Sequence, residues 1–541
     1  MAATKNNLAA VPTVANMSSR GKRERFNAKE AIQQSLTSEI VIALCGPLGT
    51  PLHEVAATFQ KLLRTTDYSY DKVEIIRLSQ LIKDNAPKGT LSDSPSINEL
   101  IDAGNNLREE HGNDVLARLA IKQITFAREL LKEKLENKQK ELFSGNDLPT
   151  ENQEAVIPTF SEKNCHIIDS IKHIDELRLL RSIYGDMLHV IGVYSPIEKR
   201  IEKLERKKGK KDDIHTLIDR DSGEEVKHGQ RVETTFPHAD FFLRVDSETD
   251  SERKSRVNRF LDLMLGTAIM TPTPHERAMY AAYSAARNSA CLSRQVGAAI
   301  TSSDGKIIST GWNDVPRPFG GLYETVDKKS NNDSDHRCWN LNEGSCFNDE
   351  EKNKIASTMV DLLIKNEIIK SDSDNKVFNT IRDDSQLKSL IEFSRAVHAE
   401  MHALINAGNS DGTQIKGGKL FVTTYPCHSC ARHIVAAGIS EVYFLEPYRK
   451  SLATKLHADA ITEREDAVDK VRLMPFDGVA PSRFLKFFSM REGGRKDKSG
   501  KMIPLVPHPV TSITMEAIST LESFAVRELE STGLASAAPQ P

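Results

Sequence analysis

The chain has 541 residues, with 73 Lys and Arg against 76 Asp and Glu, so its formal net charge of −3 provides no overall basic field for a polyanion. A hydrophobic fraction of 39% with 28% charged residues is that of an ordinary soluble globular protein, and the length suits about three domains. No run approaches the roughly 18 apolar residues of a membrane helix. The seven cysteines are odd in number and scattered, and no secretory apolar core precedes them, so they make no disulfide framework and point to a reducing, cytoplasmic setting.

In chain order, residues 1–34 read as a disordered arm, polar and without an acidic residue before Glu24. Glu39 to Cys45 (EIVIALC) is a β-branched run closed by Gly46, and Glu54 to Leu63 follows as an amphipathic helix. The alternation recurs through KVEIIRL (72–78), a long helical stretch near 113–142, HIIDSI (166–171), MLHVIGVY (187–194) and ADFFLRV (239–245). Buried strands separated by helices predict a doubly wound parallel α/β sheet over 35–250. The charge run EKRIEKLERKKGKKDD (198–213) reads as a solvated helix end or mobile lid. A second α/β domain is expected over 255–490, then a basic linker, a helix (513–530) and a flexible tail over 491–541.

Two motifs in the second domain carry chemistry. They are His398-Ala399-Glu400 and, with 25 residues between Glu400 and Pro426, Pro426-Cys427-His428-Ser429-Cys430, fed by a strand KLFVTTY (419–425). One imidazole and two thiolates suit Zn²⁺, and three protein ligands leave a fourth position for water. His398 and Glu400 lie two places apart on a predicted helix, about 200° round its axis, so they share one metal site only if His398 sits at its extreme start. Glu400 then stands beside the metal rather than on it. Cys427 and Cys430 are expected in the first turn of the next helix, where the dipole favours thiolate. The combined HxE…PCxxC pattern is that of zinc nucleobase deaminases.

Around these motifs the chain resembles the deoxycytidylate deaminase branch of the cytidine deaminases over about 270–490, through HERAMYAAYSAARNSACLSRQVGAAI (275–300), STGWNDVPRP (309–318) and AAGISEVYFLEPYRKS (436–451). The resemblance implies a cytidine-deaminase-like α/β/α domain in which Asn313 touches the sugar and the Ala399 backbone holds the base edge. It implies hydrolysis at C4 of cytosine, with Glu400 as general acid/base. His402 stands where many members have asparagine and reads as a helix-surface or supporting histidine. The 84 residues between Asn313 and His398 exceed what tRNA adenosine deaminases place there. In relatives this insert can hold a second zinc, for which His336, Cys338 and Cys346 are candidates; the other reading is a surface loop with free thiols.

At Gly46 the turn GPLGTPLH (46–53) sits where a P-loop kinase carries GxxxxGK[ST], but Leu52 and His53 replace the lysine and the hydroxyl. Gly46, Gly49 and Thr50 remain candidate phosphate contacts at a helix N-terminus, and Asp169 resembles a Walker B acid. The domain reads as a degenerate P-loop kinase-like unit, nucleotide-binding or regulatory, or as a purely structural Rossmann-like one. This order of motifs resembles the bacterial anti-phage dCTP/dCMP deaminases. That resemblance implies depletion of dCTP during infection, homo-oligomers and restraint by a small inhibitory RNA. The alternatives are a polynucleotide cytosine or adenosine deaminase, a housekeeping dCMP deaminase, or an inert sensor. A polynucleotide enzyme would need a basic, aromatic track, and only 6% of residues are aromatic. Arg294, Arg317, Arg432 and Arg449 are candidate phosphate partners.

Overall fold

The computed structural model describes residues 36–142, 163–208, 214, 216–218, 220–221, 229–245, 249–325, 335–370, 374–447, 451–490, 494–509, 515–530 and 534. The arm over 1–34 and most of the tail after 530 lie outside them. Two six-stranded sheets organise these residues, each rich in parallel pairs.

The first sheet contains β1 (Ile40–Cys45), β2 (Lys72–Arg77), β3 (Asn164–Asp169), β4 (Leu188–Tyr194) and β5 (Phe241–Arg244), all parallel, in the order β5-β4-β1-β3-β2. Every residue of β1 is buried, because the sheet is covered on both faces and a central parallel strand then has no polar side. Val41, Ala43 and Cys45 enter one core, and Ile40, Ile42 and Leu44 enter the other. The connecting helices are α1 (Leu52–Leu63), α2 (Leu78–Asn85), α3 (Ile97–His111), α4 (Val115–Leu142), α5 (Ile174–Tyr184) and α6 (Ile197–Lys208). The predicted strands and helices therefore all form, within a few residues of their expected bounds.

Past the expected boundary at 250–255 the chain still packs on the first sheet. Helix α7 (Asp250–Leu265) sets Val257, Phe260, Leu261 and Met264 into the core of the first sheet beside Val55 and Phe59 of α1. It ends at Gly266 in the left-handed conformation, a stop that only glycine takes without cost. The next helix, α8 (Pro274–Ala286), starts with Thr273 and Glu276 in a capping box and with proline at its first position.

The second sheet runs β10-β11-β9-β8-β6-β7, from β6 (Gly297–Thr301), β7 (Ile307–Trp312), β8 (Lys419–Thr424), β9 (Glu441–Glu446), β10 (Ile461–Thr462) and β11 (Val471–Pro475). β6 is antiparallel to β7 and β8, and the remaining pairs are parallel. Helix α9 (Phe347–Lys365) follows β7, α10 (Ala399–Asp411) packs on β6 and β7 as α8 does, and α11 (His428–Ala436) follows β8. The chain then returns to the first sheet, where β12 (Gly478–Val479) pairs antiparallel with β5. Last comes α12 (Met515–Glu530), whose Ile518, Ala525 and Leu529 join the core that holds Leu116 and Ile121 of α4. The C-terminal helix is thus a covering element of the N-terminal sheet.

Buried charges tie these returns down. Glu276 of α8 accepts from Val479 of β12 (3.0 Å), from Thr273 (2.7 Å) and from Arg259 of α7 (2.6 Å). Arg128 of α4 pairs with Glu39 ahead of β1 and with Glu522 of α12. Arg108 of α3 meets Glu176 of α5 at 2.9 Å with both side chains excluded from solvent. No helix among the described residues is long and apolar enough to cross a membrane.

Candidate metal centre

The antiparallel pair β6–β7 and helix α10 set up one side of the site. Gly311 on β7 lets the helix backbone approach so closely that an added Cβ would lie 2.3 Å from the Ala403 nitrogen and 2.6 Å from the Ala399 oxygen. His398 is the residue just before α10, in extended conformation, so its imidazole leaves the helix axis as the HxE spacing requires. Glu400 follows in the first turn, 4% exposed. Strand β8 feeds the other side: Cys427 is the residue before α11, and Cys430 donates its backbone N–H to the Cys427 sulfur (3.4 Å).

The Nδ1 of His398 lies 3.4 Å from the Cys427 sulfur and 3.3 Å from the Cys430 sulfur. Two ligands about 2.0–2.3 Å from one tetrahedral Zn²⁺ keep nearly this separation from each other. The donor set therefore fits the metal. Among the described residues these three form the one group of His, Cys, Asp or Glu close enough to hold an ion together. A hydrogen bond from Cys430 and the neighbouring His398 hold the Cys427 thiol down to about 4, while the same hydrogen bond pushes Cys430 up. The Cys427 contact lifts His398 to about 9. Burial pushes the Glu400 carboxyl above its ordinary value.

The neighbouring candidates have defined partners. Asn313 accepts from Val296 N–H (2.7 Å) and donates to the Arg294 carbonyl (2.9 Å), fixing the turn after β7 against the start of β6. His402 puts its Nδ1 3.2 Å from the Trp312 backbone and its Nε2 3.1 Å from Asn406. It packs edge-on to the Trp312 ring. It therefore acts as a tie between α10 and β7, and burial lowers its pKa. Arg294 pairs with Glu446, Arg317 donates to Gly320 O (2.9 Å) and Arg432 to Ser429 (3.3 Å); Arg449 lies outside the described residues.

Sequence reasoning missed the buried Asp314. It accepts from Ala290 N–H (3.0 Å) and faces Arg337 at 3.5 Å, binding the loops on either side of the site. It missed Cys291 as well, which lines a small pocket with Cys338 and Cys346. His336 packs instead against the ring of Tyr323, so the second-zinc set of His336, Cys338 and Cys346 is not brought to ligand distance.

The glycine turn is also already engaged. Leu48 N–H donates to the buried Asp221 carboxylate (2.5 Å), which pairs with Lys172 (2.8 Å), and Lys172 also donates to Gly46 O (2.8 Å). Arg200 of α6 donates to Leu48 O (2.7 Å), and its backbone would crowd any side chain at Gly49. Part of the predicted solvated charge run is therefore a buried clamp on the turn. Thr50 is buried beside it, and Asp169 faces His53 at 3.5 Å.

The family model for the cytidine and deoxycytidylate deaminase zinc-binding region matches residues 272–446. The deoxycytidylate deaminase of Enterobacteria phage T4 is 30% identical over 170 residues, 31% of this chain and 76% of that protein. That of phage T2 is 29% identical over 170 residues, 31% and 78% of the two chains. A crystal structure of the cyanophage S-TIM5 dCMP deaminase in complex with dCMP and dUMP matches 38% of this chain and 99% of that one, at 21% identity and a TM-score of 0.23. The chain belongs to the deoxycytidylate deaminase family, and it is a hydrolytic deaminase acting on cytosine nucleotides. Zinc is its metal, and His398, Cys427 and Cys430 are the group that could bind it.

Proposed function

We propose that the protein deaminates free deoxycytidine nucleotides, dCTP, dCMP or both, to the deoxyuridine nucleotides, with Glu400 as general acid/base and His398, Cys427 and Cys430 as zinc ligands. The single observation that carries this reading is the convergence of one imidazole and two sulfurs within 3.3–3.4 Å at the starts of α10 and α11, with Glu400 buried beside them. Zinc bound there supplies a water acidic enough to act at neutral pH. Glu400 takes the proton of the attacking water, passes it to N3 of the cytosine ring, and delivers a proton to the 4-amino group, which leaves as ammonia. The C4–N4 bond breaks, a C4–O bond forms, and uracil remains. Ala399, fully buried at the head of α10, offers backbone to the base edge, and Asn313 stands at the sugar.

The finer reading follows the resemblance to anti-phage dCTP/dCMP deaminases: loss of dCTP during infection, homo-oligomeric assembly and an RNA inhibitor. Residues 35–250 are on this reading a degenerate P-loop kinase-like unit and 255–490 the deaminase unit. Purified protein incubated with dCTP, dCMP, CTP, cytidine and a cytosine-containing single strand, with Glu400→Ala beside it, tests the assignment. Uracil product from dCTP or dCMP alone is expected. Turnover of the strand would move the activity to polynucleotide editing.

A further inference from the structure

A cleft of about 260 Å³ opens where the carboxyl ends of the two sheets face one another. In α/β proteins this is where small molecules settle. None of His398, Glu400, Cys427 and Cys430 lines it. Its apolar wall mixes aliphatic side chains such as Ile197, Val232 and Leu445 with four aromatic ones: Tyr194 ends β4, Tyr425 directly follows β8, Phe444 belongs to β9, and Phe236 precedes β5. Tyr425 and Phe444 stand edge to face with their centroids 4.8 Å apart.

The polar groups are few and placed. Glu463 lines the cleft and accepts the Tyr425 hydroxyl at 2.9 Å. Burial raises its pKa. Arg200 is 6% exposed, with its Nε committed to the Leu48 carbonyl. Among the described lining residues two acids, Glu233 and Glu463, stand against this cation, a balance that favours an occupant without phosphates.

Aromatic rings in the lining suit a planar π-system, and a carboxyl beside them asks for a hydrogen-bonding edge on that plane. We propose that this cleft is a second binding site, separate from the metal centre, for an uncharged nucleobase or nucleoside. An occupant rests on Tyr425, and on Ser451, which donates to the Pro426 carbonyl at 2.7 Å. Those two side chains hold the segment that ends at Cys427.

The test is calorimetric titration of the full-length protein with adenosine, guanosine, thymidine and uridine, repeated in the presence of saturating dCMP. At least one nucleoside should bind at one site per chain whether or not dCMP is there, with hydrogen-exchange protection at 194–200 and 425–447. Two variants locate it: Thr454→Trp fills the cleft from a partly exposed lining position, and Glu463→Gln removes the acid. Each should weaken binding about tenfold or more, and the second keeps the question decidable if the first does not fold. Silence of all four nucleosides to millimolar concentration, binding only by triphosphates, displacement by dCMP, or indifference to both variants would overturn the site. Binding is read without turnover, so a failed catalytic assignment would leave the result intact.

Discussion

Gly311 sets how closely α10, with His398 at its head, approaches β7, and Gly311→Ala tests what that approach does for the candidate metal group. The added Cβ would sit 2.3 Å from Ala403 N, 2.6 Å from Ala399 O and 2.8 Å from Ala403 Cα. Ordinary contact is ~3.5 Å, so α10 must retreat from β7 by roughly 1 Å, and the contacts are backbone atoms that no side-chain rotation relieves. Overpacking of this kind costs ~1–3 kcal/mol. The larger effect falls on His398, fixed at the head of α10, because metal ligands tolerate displacements of only ~0.2 Å. Zinc per chain should drop while the protein still melts cooperatively, at a lower temperature. Gly408→Ala is the control, since it lies on the same helix with nothing within 4 Å of its added Cβ. It should keep its zinc and gain up to ~1 kcal/mol from helix propensity. Full zinc occupancy and an unchanged melting temperature in Gly311→Ala would refute the reasoning.

Glu400→Gln should keep zinc and lose ~10²–10⁴ in turnover, which steady-state kinetics with metal analysis will show; loss of zinc would make Glu400 a ligand instead. Cys427→Ser should lower zinc content at neutral pH, because a serine hydroxyl does not ionise there as the thiol held down to about 4 does. Glu276→Ala strips Val479, Thr273 and Arg259 of one buried acceptor and should cost ~3–5 kcal/mol in denaturant unfolding. Glu39 governs acid stability: burial pushes its carboxyl up, but His166 and Arg128 outweigh it and hold it down to about 2 from 4.5. A depressed folded value adds stability above the unfolded value that is lost as pH falls through the folded one, so ~3 kcal/mol present at pH 6 should drain away between about pH 4.5 and 2. The stability gap between the parent and Glu39→Gln should close over that window; a gap independent of pH would assign it to packing.

The metal centre was legible because its chemistry is written in local spacing. His398 two before Glu400, and Cys427 three before Cys430, can gather round one point only at helix starts, and helix starts are where they lie. The strands were legible for a similar reason, since an unbroken run such as IVIALC buries both faces and has few other uses. What failed was everything set by distant partners. Nothing local in the charge run predicts that Arg200 turns inward onto Leu48 O, nor that Asp221 takes the Leu48 N–H that a phosphate would otherwise want. A buried charge looks like a surface charge until its partner, here 152 or 173 residues away, is known. His336 failed as a companion of Cys338 and Cys346 for the converse reason: neighbours in sequence within a loop need not point to one side, and its ring found Tyr323.

The same distant pairing ties the two halves to each other. A chain cut near 250 would leave α7 and its Phe260 outside the core they fill, and one ending at 475 would remove β12 from the edge of the first sheet. The core that holds Leu116 of α4 and Phe242 of β5 also holds Phe421 and Tyr443 of the second sheet and Ile518 of α12. A continuous core of this kind couples the packing of one sheet to that of the other. The N-terminal sheet is thereby positioned to bear on the catalytic strands: Tyr194 and Arg200 on one side and Tyr425 and Phe444 on the other share one cleft. The degenerate turn at Gly46, clamped by Arg200, Lys172 and Asp221, is in this arrangement part of the wall that holds the cleft's shape.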